Sequence, residues 1–371
     1  MKRVVDVVPY AYLPFFSGGQ KSIALFLEHL SNEVDLTVVG TCDNDKNLIK
    51  GYRLLPWLKK KSAPRYMDVS LINKLSSLFK KENIETVIWE HPYFFWLARI
   101  IKKSTGIKTI FHTHNIEHQR FRSNGKCWWP LLQRYEEWCF QSADFIFFIS
   151  EEDRKFAIEQ WGIKAEKCME VPFGVDIKEY PNDKIACREK IASTHLIASN
   201  EKILLFNGLL DYKPNLDALL AILNEINPIL LATEGFRYKI IVCGKRLPEE
   251  LNELKDYADK NIVYAGFVDD IETYFKGADL FLNPVQSGGG IKTKMVEAIG
   301  FGTTVIATAT GALGISKTSC DSKLVIVNDN DWSSFAKAII ENAKNDLTVT
   351  PQKYYEYYYW GNIARRVAAV L

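Results

Sequence analysis

The chain has no cysteine pairing pattern. Seven cysteines stand at positions 42, 127, 139, 168, 187, 243 and 320, with no Cys-x-x-Cys pair and no Cys/His cluster at zinc-ligand spacing. An odd count without pattern excludes a disulfide framework and points to a reducing cytoplasm. Net charge is equally scarce, only +2 over 371 residues, so nothing argues for nucleic acid as a main partner. No apolar run is long enough to span a bilayer. Met1-Lys2-Arg3-Val4-Val5 leads into a strand pattern rather than the apolar region of a signal peptide. Low-complexity linkers are missing, and so is Gly-x-Gly-x-x-Gly, which leaves a dinucleotide cofactor without support. What remains is 47% hydrophobic and 25% charged, the composition of a globular chain long enough for two domains.

Strand and helix patterns alternate in both halves. Strands are expected over 4–9, 35–40, 86–90, 109–114, 145–150 and 168–171, with helices over 19–30, 69–81 and 95–104 among them. The same logic restarts with strands over 202–207, 239–243, 262–265, 280–283, 305–308 and 325–327, and with a helix from about Asn215. Such alternation predicts an α/β fold of parallel sheets covered by helices on both faces. The join falls near Pro172-Phe173-Gly174-Val175-Asp176, giving domains over 1–175 and 176–355. The final segment carries Tyr354, Tyr355, Tyr357, Tyr358, Tyr359 and Trp360, an aromatic cluster read as packing rather than a ligand platform.

The most informative stretch runs from Ser287 to Thr308. Gly288, Gly289 and Gly290 precede an amphipathic helix expected over about 291–299. Glycines ahead of a helix expose backbone N–H groups and let a ligand approach the chain closely. The helix N-terminus adds partial positive charge, which suits a phosphate or pyrophosphate. Lys292 and Lys294 place two cations in the expected first turn, sensible if an anion sits there. Glu297 lies one turn beyond Lys294 on the same face and can accept hydrogen bonds from a sugar hydroxyl. An ordinary Gly-rich loop is the plainer alternative.

These residues resemble the nucleotide-sugar site of the GT4-like retaining glycosyltransferases (group 1). The resemblance implies the GT-B fold: two Rossmann-like, doubly wound domains facing a central cleft, with the C-terminal helix, 356–371, crossing back to the N-terminal domain. Thr304 stands where the family's Gly-x-Pro-Val-Val strand has proline, and Gly289 stands at the first acid of its Glu-x7-Glu pair. Phe173 replaces the usual asparagine of the interdomain segment.

Other segments add candidates. Gly18 and Gly19 follow the first strand and precede the first helix, so they border the crevice at the carboxyl ends of the strands; in the resemblance they lie by the donor phosphates and the acceptor. His112 and His114 share one strand face and could bind the transferred sugar or assist proton transfer. The family match favours His114, with His112 in reserve. A zinc site there would need a third ligand such as Glu117 or His118, and the sugar contact is preferred. In Asn207-Gly208-Leu209, Leu209 occupies the position of the family's arginine, leaving Lys213 as the nearby cation. Gly244, Lys245 and Val268 resemble positions that meet the nucleotide. Asp43-Asn44-Asp45 has the Asp-x-Asp form of a different glycosyltransferase fold and is rejected as a metal site.

The expected function is transfer of a sugar from a UDP- or GDP-type nucleotide sugar to an acceptor hydroxyl with retention, without metal or other cofactor. Backbone N–H groups around Gly288–Ile291, with Lys294 and Lys213, would stabilise the leaving diphosphate. Glu297 would hold the ribose and His114 would orient the sugar. A saccharide or lipid-linked acceptor in surface polysaccharide or glycolipid assembly is the family expectation. Lys59-Lys60-Lys61 with Trp57, and Cys127-Trp128-Trp129-Pro130, could dock a cytoplasmic protein on an anionic membrane, although such runs are also ordinary surface. A nucleotide-sugar 2-epimerase and a non-catalytic sugar-binding protein are the alternatives.

Overall fold

The computed structural model describes residues 1–60, 63–123, 125–288, 290–344 and 348–371. The chain divides into two compact units. The first contains Met1–Asp176, Trp360–Leu371 and, from the later sequence, Gly290 and Ile291; the second contains Ile177–Gly288 and Lys292–Tyr359.

The first unit is built on a seven-stranded parallel sheet. Its strands are β1 (Arg3–Val7), β2 (Asp35–Thr41), β3 (Arg53–Leu58), β4 (Thr86–Glu90), β5 (Lys108–Thr113), β6 (Phe145–Phe148) and β7 (Cys168–Glu170), in the order β3-β2-β1-β4-β5-β6-β7. Val5, Val7, Val39, Val87, Trp89, Phe111, Ile146 and Phe148 point to one face and join one apolar cluster. Val4, Val8, Leu36, Val38, Ile88, Ile110 and Phe147 point to the other and join a second cluster. Nearly continuous apolar strands are what a parallel sheet covered on both faces requires. The second cluster is completed by Phe26 and Leu27 from the helix Gly18–Leu30 and by Trp360, Ile363, Val367 and Leu371. The C-terminal helix Trp360–Val370 therefore belongs to the core of the first unit.

β3 has no counterpart in the sequence expectation. Pro56 lacks the N–H of a central strand and reads as a break, but β3 is the sheet edge, where one missing donor is tolerated. Asn44 of the rejected Asp-x-Asp is buried and accepts the N–H groups of Tyr12 and Leu13 at 2.8 and 3.0 Å.

The second unit holds a six-stranded parallel sheet. Its strands are β8 (Lys202–Leu209), β9 (Tyr238–Lys245), β10 (Ile262–Gly266), β11 (Leu280–Asn283), β12 (Thr304–Thr308) and β13 (Leu324–Val327), in the order β10-β9-β8-β11-β12-β13. Its helix Thr293–Gly300 starts later than the glycines suggested. Lys292 is therefore its N-cap rather than a first-turn residue.

The carboxyl end of that helix is held by named donors. Thr350 Oγ1 reaches the Ile299 carbonyl at 2.6 Å, Tyr355 Oη the Gly300 carbonyl at 2.8 Å, and Tyr354 Oη the Val296 carbonyl at 2.5 Å. Lys184 Nζ donates to the Phe301 carbonyl at 3.3 Å and Lys323 Nζ to the Gly302 carbonyl at 2.9 Å. The last carbonyls of a helix have no partner within it, and cations there favour the negative end of its dipole. Tyr354, Tyr355 and Tyr358 are buried, so these aromatics serve packing. The terminal helical pattern is broken at Tyr359, between Gln352–Tyr358 and Trp360–Val370.

Candidate functional site

In the second unit, the candidate residues gather around Lys294. β8 continues two residues past the expected Asn207, so Gly208 lies inside the strand, paired with Gly244 of β9. Both glycines are demanded by space. A Cβ on Gly208 would lie 2.8 Å from Asn215 Nδ2, and one on Gly244 would lie 2.1 Å from the Gly208 carbonyl oxygen. Asn215 Nδ2 donates to the Leu209 carbonyl at 3.0 Å, leaving its Oδ1 to accept from Lys294 Nζ at 3.1 Å. The same ammonium donates to the Asn207 carbonyl at 3.0 Å and sits 5.0 Å from the centre of the Phe206 ring.

Lys294 is half-buried. Burial first, and the charge of Lys292 second, push its pKa down to about 7. Lys292 Nζ donates back to the Gly288 carbonyl at 2.9 Å. Gly288 has φ +85° and Gly290 φ +77°, backbone that side chains rarely adopt. A Cβ on Gly288 would also lie 2.9 Å from Pro214 Cγ. Gly289 lies outside the described residues. Ile291 and Glu297 are half-buried, Glu297 one turn beyond Lys294 on the helix.

The other predicted residues have partners of their own. Lys213 Nζ is exposed and paired with Asp217 at 2.7 Å, one helical turn away. Lys245 lies over the Phe267 ring at 3.5 Å, and Val268 is half-buried after β10. Asn215, now central, was not singled out in the sequence. Its signal was the Gly208/Asn215 pair, which no short motif marks.

In the first unit, Gly18 and Gly19 open the helix Gly18–Leu30, and Ser17 caps it by accepting from the Gln20 N–H at 3.4 Å. A Cβ on Gly19 would meet nothing within 4 Å. His112 and His114 do share a sheet face, with ring centres 4.7 Å apart, and both are buried. The residue between them in space is Glu90, which the sequence reading missed. Sheet register sets Glu90 beside His112. Glu90 Oε1 lies 2.8 Å from His112 Nδ1, and Oε2 lies 2.5 Å from His114 Nε2. Burial disfavours the Glu90 carboxylate, but the electrostatic pull of the His112 and His114 rings and the hydrogen bonds they donate outweigh it and hold its pKa below the usual range. Asp6 of β1, fully buried, has no hydrogen-bond partner for either oxygen. Burial, then the Glu90 charge, raises its pKa well above the ordinary carboxylate value, which favours the neutral form.

His91 follows Glu90 at φ +64°, ψ 165°, a strained conformation for a side-chain residue. Its N–H donates to the His112 carbonyl at 2.9 Å, and its ring stacks on His114 with centres 4.2 Å apart. Burial first, then the His91 charge, lowers the His114 pKa to about 3 against the opposing pull of Glu90.

Among the described residues, Glu90, His112 and His114 are the group spaced to hold a metal ion, with ligand atoms within 4.8 Å of one another. Each Glu90 oxygen is already engaged by one ring nitrogen, which makes the trio a closed hydrogen-bond network. Glu117 and His118, which the competing zinc reading would need as a third ligand, have other partners. Glu117 pairs with Arg120, and His118 Nδ1 lies 2.8 Å from Glu136.

Comparison with known proteins agrees with this architecture. Residues 16–179 match the family described as Glycosyltransferase Family 4, and residues 201–345 match Glycosyl transferases group 1. An uncharacterized 44.6 kDa protein in the cps region of Klebsiella pneumoniae is 30% identical over 392 residues, covering 93% of this chain and 92% of that one. The O-antigen biosynthesis glycosyltransferase WbnH of Escherichia coli is 27% identical over 139 residues, 38% of this chain and 39% of its own. The crystal structure of Anabaena HepE in complex with UDP and glucose superposes with a TM-score of 0.66 at 14% identity, covering 100% of this chain and 99% of that one. With a near-full-length relative at 30% identity and both halves matched, this chain belongs to the group 1 glycosyltransferases of family 4 and has their GT-B fold.

Proposed function

We propose that this glycosyltransferase moves a sugar from a nucleoside diphosphate donor to an acceptor hydroxyl with retention of configuration, in assembly of a surface polysaccharide or glycolipid. The observation that carries the reading is Lys294. Its half-buried ammonium is fixed by the Asn207 carbonyl and Asn215 Oδ1, in the first turn of a helix preceded by positive-φ glycines. Neither fixing group is a carboxylate, so no anion of the protein neutralises this amine, and with its pKa near 7 it is poised to take up a proton when an anion binds beside it.

As the glycosidic bond breaks, negative charge grows on the leaving diphosphate. A preset ammonium and helix-start N–H groups would stabilise it with no metal, a contribution of roughly 3–4 kcal/mol when one such donor is removed. Glu297 would hold the ribose hydroxyls, and His114 would orient the sugar. The UDP in the HepE complex supports a uridine donor, and the O-antigen role of WbnH supports a saccharide or lipid-linked acceptor. Among the described residues no helix is long and apolar enough to cross a membrane. A lipid-linked acceptor would be met through surface contact, for which Trp128 and Leu131 are among the exposed apolar groups.

The test is thermal stabilisation by a panel of UDP, GDP, ADP and CMP, followed by turnover of the matching nucleotide sugars. A nucleotide that binds only the native state raises Tm. One diphosphate is expected to stabilise the protein, and Lys294→Ala to remove both the shift and the turnover. No shift with any nucleotide at millimolar concentration refutes the reading.

A further inference from the structure

The Glu90 network uses a carboxylate in a place where a parallel sheet normally has an apolar side chain. On this face Ile88, Ile110 and Phe147 are all fully buried, and Phe26 meets the His112 ring edge-on at 5.5 Å. An ionised carboxylate in such surroundings is costly unless both oxygens are hydrogen-bonded. Glu90 satisfies that condition with two imidazoles and nothing else that replaces them.

An ionised carboxylate only accepts, so the ring nitrogen facing each oxygen must carry the proton. For His114 that nitrogen is Nε2; for His112 it is Nδ1. His112 Nε2 has no hydrogen-bond partner and is buried. A bare lone pair there is tolerated more easily than an N–H with no acceptor. A neutral His114 with its proton on Nε2 presents Nδ1 as a lone pair. The strained His91, stacked on the ring, holds its plane.

We propose that Glu90 is a positioning residue of the transfer site: it fixes the tautomers of His112 and His114, so that His114 accepts a hydrogen bond at Nδ1 from a hydroxyl of the transferred sugar. This rests on the transferase reading for its substrate, while the tautomer assignment stands on the geometry alone. Asp6 supports it. Its carboxyl has no hydrogen-bond partner, and burial, then the Glu90 charge, bias it toward the neutral form, which adds no second negative charge beside the network. The arrangement also selects chemistry. A site that accepts at this point favours a donor sugar with a hydroxyl there over a deoxy or methoxy analogue, and unpaired buried polar groups make such rejection strong.

The experiment has two arms. Long-range 15N–1H NMR on histidine-labelled wild-type protein at pH 7 is expected to show Nε2 of His114 and Nδ1 of His112 protonated, and the other nitrogen of each ring unprotonated. A proton on His114 Nδ1, alone or with one on Nε2, overturns the proposal whether or not any turnover is found. The second arm measures nucleotide release from UDP-glucose, UDP-galactose and GDP-mannose by wild type and Glu90→Gln, with water or an added saccharide taking the glycosyl group. The amide can accept from only one ring and must donate to the other, so one tautomer switches. Expected is a kcat lower by at least tenfold, with the KM for the donor within threefold and a changed 15N signature. A kcat within twofold of wild type alongside a changed signature overturns the positioning role. Should Glu90→Gln fail to fold, the wild-type NMR still decides the tautomers. Absence of turnover by wild type on all three donors, with the expected NMR result, counts against the transferase reading and not against the network.

Discussion

Lys294 Nζ donates to the main-chain carbonyl of Asn207 at 3.0 Å, a contact that ties the helix Thr293–Gly300 to the end of β8. Its pKa near 7 gives binding a definite pH dependence. A diphosphate placed beside this amine favours the ammonium, so binding takes up a proton at pH values above about 7. Affinity is then expected to fall as pH rises from 7.5 to 9, by up to tenfold per unit. Calorimetry in buffers of different ionisation enthalpy measures the proton uptake directly; affinity that is flat across this range refutes the assignment.

Gly208→Ala addresses Asn215 without touching Lys294. The new methyl group would lie 2.8 Å from Asn215 Nδ2, displacing the amide that accepts from the ammonium. Turnover is expected to fall about 10–100-fold, corresponding to the roughly 1.5–3 kcal/mol of a charge-assisted hydrogen bond. Tm should change little. Gly244→Ala is the contrast, since its methyl group would meet the Gly208 backbone oxygen at 2.1 Å. Backbone cannot move aside as a side chain can, and a loss of stability on the order of 3 kcal/mol is expected. Denaturant melts of the two variants separate these outcomes.

Stability should rise between neutral and alkaline pH. Burial lowers the pKa of Lys323 from 10.5 to about 7, with the Lys184 charge a further cause, and burial lowers that of Lys184 to about 8. Between the folded and unfolded values the unfolded chain binds more protons, so unfolding becomes harder as pH increases. The window runs from about pH 7 to 10.5, with a slope of about 1.4 kcal/mol per pH unit for each fully differing proton. Lys323→Met is expected to flatten the part of the profile that this residue contributes. An unchanged slope in urea melts at pH 7, 8 and 9 would show that the amine titrates normally.

Transfer is expected to survive metal removal. Leaving-group charge would be met by Lys294 and helix-start N–H groups, and the Glu90 oxygens are already engaged by His112 and His114. After EDTA treatment, nucleotide release should remain within twofold of the untreated protein. Loss restored by a divalent cation would place a metal in the reaction.

The two-sheet architecture was legible because buried parallel strands write themselves as apolar runs between helical patterns. Gly288 to Glu297 was legible because glycines, cations and an acid fall within one short stretch. Local rules erred where tertiary context reverses them. Pro56 reads as a break until β3 proves to be an edge, and Lys292 reads as helical until the helix proves to begin at Thr293. Lys213 lies near Gly208 in the chain, and its exposed ammonium pairs with Asp217 one helical turn on. Glu90 and Asp6 carried no local mark at all, being single acids in separate strands.

Amino-acid order alone determined the alternation of strand and helix, the family, and the helix that carries Lys294 and Glu297, since each depends on residues close together in the chain. Only the folded structure decided which polar groups meet inside it. Glu90 sits beside His112 because β4 and β5 pair in that register, and Lys294 reaches Asn215 across 79 positions of sequence. Such partners are fixed by packing and strand register, which bring together side chains that no spacing along the chain relates.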